Sequence, residues 1–153
     1  MSKPMIQVFD LREDLRANPD RVRLAQALTL NADKTKMGLK GARGLFGSSE
    51  WWGNIESGNM PTMQISGVIV RAYYAGQGGS GPNNMIDVLT DEGRRETVGI
   101  YVNDPENVRF FQNGHRAEVI YALDELKQQP AFDGSVNYSK VALTMRVSAT
   151  PVE

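Results

Sequence analysis

A chain of 153 residues, 41% hydrophobic and without cysteine, is long enough for one well-cored domain with an appended arm, and it excludes disulfides, thiolate metal sites and thiol nucleophiles. Its 17 basic and 18 acidic residues leave a formal charge of −1, which excludes a whole-surface electrostatic grip on duplex nucleic acid or an anionic membrane and leaves only a local patch. Asp10, Glu13 and Asp14 stand where a signal peptide needs its apolar core, and no stretch approaches the ~18 apolar residues of a membrane span, so a cytoplasmic protein with no membrane partner is expected.

The first 59 residues hold nine Lys/Arg against seven Asp/Glu, whereas residues 60–153 hold eight against eleven. Within the first part, "ANPDRVRLAQALTL" predicts a helix. Asn18 can cap it, Pro19 fits the first helical position, Asp20 complements the positive helix end, and Val22, Ala25, Leu28 and Thr29 share a face. A strand is the alternative, because Val22, Leu24, Gln26, Leu28 and Leu30 also follow period two. Next comes "KTKMGLKGAR", where Lys34, Lys36, Lys40 and Arg43 stand without an acid, running into "GLFGSSEWWGN". Cations beside flat rings on a Gly-rich segment suit a single-strand binder, with cations for phosphates and rings for bases. The plainer reading is a solvated linker whose Phe46, Trp51 and Trp52 enter the core.

From Met63 the pattern turns to strands. "MQISGVIVRAYY" is rich in β-branched and aromatic residues, with Gly67 marking an expected bulge or bend. The loop "GQGGSGP" follows, then "NMIDVLTDEGRRETVGIYV" as two strands about a hairpin turn at residues 91–94. In "DPENVRFFQNG", Asp104 can cap and Pro105 can start a short helix that places at least one of Phe110 and Phe111 in the core. "HRAEVIYALDEL" and "YSKVALTMRVS" alternate as strands, joined by "KQQPAFDGSVN" with its turn pair Asp133 and Gly134.

This order, carried by Gly67, the "DEGR" hairpin and the helix "PENVRFFQNG" before a long strand, resembles the OB-fold, a five-stranded Greek-key barrel with a helix between its third and fourth strands. The expected fold is therefore mainly β with minor α: an OB-like barrel over residues 60–153, preceded by a helical or irregular arm over residues 1–59. The resemblance implies that residues 76–84 and 127–137 flank any binding face.

Gly76, Gly78 and Gly81 have the G-x-G-x-x-G spacing of a dinucleotide site, but strand and turn follow them where the pyrophosphate needs a helix N-terminus. His115 is the only histidine, which excludes a multi-histidine metal centre, and it is read as structural or exposed. A carboxylate-only Mg²⁺ site from Asp87, Asp91 and Glu96 is conceivable across the hairpin but has no further support. No acid, base and nucleophile assemble, so neither an enzyme nor a cofactor is expected.

What remains is binding. The residues placed on a face for single-stranded nucleic acid are Lys34, Lys36, Lys40, Arg43, Trp51, Trp52, Arg71, Tyr73, Tyr74, Arg94, Arg95 and Tyr101, one ring of each aromatic pair stacking on bases at ~1–3 kcal/mol per base. The alternative is a protein-interaction or accessory subunit that docks through the N-terminal arm on a partner or on a second copy of itself.

Overall fold

The computed structural model describes residues 4–76, 78 and 80–152. Its strands are β1 (Met5–Asp10), β2 (Thr62–Tyr73), β3 (Met85–Thr90), β4 (Arg95–Gly99), β5 (Arg116–Glu125) and β6 (Tyr138–Ser148). Its helices are α1 (Leu11–Ala17), α2 (Pro19–Leu30) and α3 (Ser49–Glu56), with a 3₁₀ turn at Pro105–Phe110. None of the described helices is long and apolar enough to cross a membrane.

The chain is mainly β, as its alternation implies, but the five-stranded barrel is corrected. Six strands form one open sheet in the order β1-β6-β5-β2-β3-β4. The added strand is β1, which the sequence reading left in the arm. It pairs antiparallel with β6 from Met5↔Ser148 to Asp10↔Thr144, with a register shift between Gln7 and Phe9. Two consecutive side chains there, Val8 and Phe9, are both buried, the signature of an extra residue in the ladder.

The chain divides into two compact units. The first comprises Met1–Leu11, Gln64–Ile120 and Ala142–Glu153. Its core is drawn from alternating inward positions: Ile65 and Ile69 on β2, Ile86 and Val88 on β3, Val98 on β4, Val119 on β5, Met145 and Val147 on β6. β3 and β4 meet at the expected turn, where Gly93 at φ 85° supplies the left-handed conformation and its N–H donates to the Thr90 carbonyl. The bulge anticipated at Gly67 lies three residues on, where the β2–β3 register shifts between Ile69 and Arg71. Gly67 instead permits close approach: a Cβ there would collide with the Leu89 carbonyl oxygen.

The 3₁₀ turn begins as the sequence implies, with the Asp104 carboxylate accepting from the Glu106 N–H at 3.0 Å. Phe111 just past its end is fully buried. His115 is buried too, its Nδ1 2.7 Å from the Ser148 carbonyl, so it is a structural histidine.

The second unit comprises Arg12–Met63 and Tyr121–Val141. Here α2 spans the helix read from "PDRVRLAQALTL" with Pro19 in its first turn, although the Asn18 side chain turns back to Asp14 rather than capping. No residue of α2 is buried. The helix is held from outside: Gln26 donates to the Phe46 carbonyl (2.9 Å), Thr29 donates to the Leu39 carbonyl (2.9 Å), and the Lys127 ammonium donates to the carbonyls of Leu28 (2.6 Å) and Lys34 (2.8 Å). A cation on the last carbonyls satisfies groups that a helix end leaves unpaired.

Candidate functional site

In the second unit, the Ser48 hydroxyl caps α3 by accepting from the Trp51 N–H at 3.2 Å. The cap fixes which of the adjacent tryptophans turns inward. Trp51 is 0% exposed, with edge contacts to Phe46 and Trp52 at ring distances of 5.0 and 4.8 Å. Its indole N–H donates to the Asp124 carboxylate at 2.9 Å. Burial pushes the Asp124 carboxyl above its ordinary range, opposed by the Trp51 hydrogen bond and by the nearby Arg43 charge. Arg43 itself is committed, to Glu125 at 2.8 Å and to the Asn59 carbonyl at 2.7 Å.

Trp52 is half-buried under the Arg12 guanidinium, 4.0 Å from its ring, while Arg12 pairs with Glu56. Lys34, Lys36 and Lys40 are exposed. The stacking tryptophan and the cation beside it are thus structural at Trp51 and Arg43.

In the first unit, Arg71 lies over the Tyr73 ring at 4.1 Å. Tyr73 and Tyr74 are both half-buried, so neither is the core anchor that strict alternation requires. The Tyr74 ring explains part of the glycine loop: a Cβ at Gly76 would collide with its hydroxyl, and one at Gly81 would come within 3.0 Å of the ring. Gln77 and Gly79 of that loop lie outside the described residues.

Arg94 is exposed in the hairpin turn, whereas Arg95 pairs with Asp87 at 3.2 Å. The Thr97 hydroxyl and then Arg95 hold the Asp87 carboxyl below its ordinary range. Tyr101 is half-buried with its ring 5.7 Å from Phe9. The twelve residues assigned to a nucleic-acid face are therefore divided, Lys34 to Trp52 in one unit and Arg71 to Tyr101 in the other. Among the described residues no cluster of three or more His, Asp or Glu could hold a metal ion.

In the second unit the loop that the OB-fold resemblance placed beside a binding face carries an exposed ring, Phe132, that the sequence reading did not single out. The loop of residues 127–137 turns at Gly134 (φ 86°), with Asp133 accepting from the Ser135 N–H (3.0 Å) and hydroxyl (2.6 Å). The Gln129 amide donates to the carbonyls of Leu126 (2.8 Å) and Asn137 (2.9 Å) and accepts from the Asn137 N–H (2.9 Å). This bracing holds Phe132 wholly in solvent, at 110% relative exposure. Beside it runs a groove of about 480 Å³ with Met63, Leu123, Val136 and Tyr138 in its wall and Lys140 at its rim. Two other grooves differ in lining: one of about 260 Å³ mixes Arg12 and Arg16 with Leu15, Val22 and Trp52, and one of about 310 Å³ is walled mostly by polar and charged groups such as Gln7, Glu118 and Arg146. The "AFDG" turn was legible as a turn. Nothing in a lone Phe distinguishes an exposed ring from a buried one.

A family model described as immunity protein RhsI2 matches residues 5–148. No curated protein matches the chain. The match corrects the expectation of single-stranded nucleic-acid binding through an OB-like barrel, because the family is one of immunity proteins and not of nucleic-acid binders. Over nearly its whole length, the chain belongs to the RhsI2 immunity protein family.

Proposed function

We propose that this protein neutralises a toxin by binding to it, acting as a stoichiometric protein inhibitor rather than as an enzyme. The observation that carries the reading is the immunity-family match, which extends from β1 through β6 and so involves the whole fold rather than one motif. Protein docking was the alternative reading of the sequence, and the match favours it.

An immunity protein protects the cell that contains it, so the toxins to test are those made by the same cell. Each is expressed in a susceptible host with and without this chain, and the pair that restores growth is purified and titrated by calorimetry. The reading expects a 1:1 complex and loss of toxin activity at equimolar chain. A chain that rescues no host, or that rescues without forming a complex, overturns it.

A further inference from the structure

We infer that the loop of residues 127–137 is the toxin-binding element, with Phe132 as the anchor that seats in an apolar pocket of the toxin. This rests on the toxin-neutralising reading and names the surface that performs it.

The first observation is exposure. Among the described residues Phe132, at 110%, is the most exposed large hydrophobic, and aromatic side chains held in water are favourable to bury and enriched at the centre of protein interfaces. The second is order. A floppy loop would lose entropy on binding, but here the bonds from Gln129 to Leu126 and Asn137, the Ala131 N–H to Ser135 carbonyl bond (2.8 Å) and the Asp133–Ser135 turn fix the backbone beforehand. The bonds join the ends of β5 and β6, and the ring they support points at solvent. Their effect is to present Phe132 in one position, which is what preorganised binding elements do.

The third is the groove alongside. Met63, Leu123 and Val136 give it an apolar wall, and Val136 is itself exposed at 43%. A ring that projects next to an apolar recess forms half of an interdigitated contact: the partner offers a pocket for Phe132 and an apolar side chain for the groove. The rim charge refines the partner. The Asp133 carboxylate is occupied by Ser135, which holds it below its ordinary pKa range. Lys140 is exposed and takes part in no ion pair among the described residues. The complementary surface on the toxin is thus an apolar pocket with a carboxylate beside it.

The test uses the full chain and the toxin that it neutralises, with affinity read by calorimetry and each variant's fold by circular dichroism and thermal melt. Phe132→Ser is expected to weaken binding by about thirtyfold or more without a lower melting temperature, and Val136→Glu to weaken it comparably. Phe132→Trp, which keeps the anchor, stays within about fivefold. The control Lys34→Glu/Lys36→Glu, on another exposed segment, binds as the parent does. Parent-like binding by both Phe132→Ser and Val136→Glu overturns the inference and leaves the toxin reading standing. A free chain that is dimeric by light scattering and becomes monomeric on Phe132→Ser also overturns it, by assigning the face to a second copy. If the parent neutralises no toxin, both fall together.

Discussion

Trp51 and Asp124 show how one buried pair sets the chemistry of a position. The carboxylate is 1% exposed and receives the indole N–H at 2.9 Å, so Asp124→Ala strands a donor in the core. The expected loss is about 2–3 kcal/mol of unfolding free energy in urea titration, the cost of an unpaired buried polar group with a small void beside it. Asp124→Asn keeps an acceptor for the indole and costs less. The pH dependence separates charge from geometry. Burial raises the Asp124 pKa in the folded protein above its unfolded value, so the native state holds the proton more tightly, and its stability falls as pH rises through the folded pKa. Asn does not titrate, so the Asn variant gains on the parent as pH rises from below the ordinary carboxylate value through the raised one, and urea midpoints at acidic and neutral pH check the sign. Asp91 runs the opposite way, because Arg116 lowers its pKa: its contribution is present above the unfolded value and lost as pH falls through the folded one. At this scale the sequence was partly legible. The plainer reading, which put Phe46, Trp51 and Trp52 in the core, holds for Phe46 and Trp51 but not for the half-buried Trp52, and the core ring expected at Phe110 or Phe111 is Phe111; the choice between Trp51 and Trp52 depends on the Ser48 cap and the acceptor 73 residues away.

Among the elements, α2 depends most on a single distant side chain. With none of its own residues buried and its C-terminal carbonyls held by Lys127, replacement by Met is expected to lower stability by about 1–2 kcal/mol. Amide hydrogen exchange should locate the loss in the last turn of α2, near Leu28 and Leu30, ahead of any loss in the strands. Gly67→Ala acts in the sheet instead. Its Cβ meets the Leu89 carbonyl, a backbone atom that cannot rotate away, so a loss of about 3 kcal/mol or more is expected by the same titration, with β2 and β3 exchanging faster. The five later strands were readable because β-branched alternation is bounded by turn pairs such as Glu92–Gly93 and Asp133–Gly134. β1 was not. Its alternation is broken at Val8 and Phe9, and its partner lies at the far end of the chain, so only tertiary pairing defines it. α3, with Gly53 and two tryptophans in eight residues, has weak helix propensity and forms around its cap and its buried ring. Local pattern thus gave strands and turns, but their order in the sheet is a matter of long-range pairing, and there the barrel expectation failed.

For the whole molecule, binding is the property that charge and stability both report. A net charge of −1 gives little long-range steering, so local charges at the contact decide how fast a partner docks. Lys140, at the rim of the Phe132 groove, is expected to act in this way. Lys140→Glu should slow association severalfold at low ionic strength, leave dissociation nearly unchanged, and lose most of its effect near 0.5 M salt, where charges are screened beyond a few ångströms. Stopped-flow association at two salt concentrations measures it, and a change confined to the dissociation rate would assign Lys140 to the desolvated centre of the contact. Stability gives an independent readout, because a ligand bound only by the folded chain stabilises it by about 2.7 kcal/mol at a hundredfold excess over Kd. For a chain of this size that is a rise of about 5–10 °C in Tm. Phe132→Ser, wholly exposed and with no contact to lose, should melt alone within about 0.5 kcal/mol of the parent and yet show little of that rise. That pair of outcomes separates folding energetics from binding energetics at one residue, because the exposed ring is expected to add nothing to the free chain and to act only in the proposed complex.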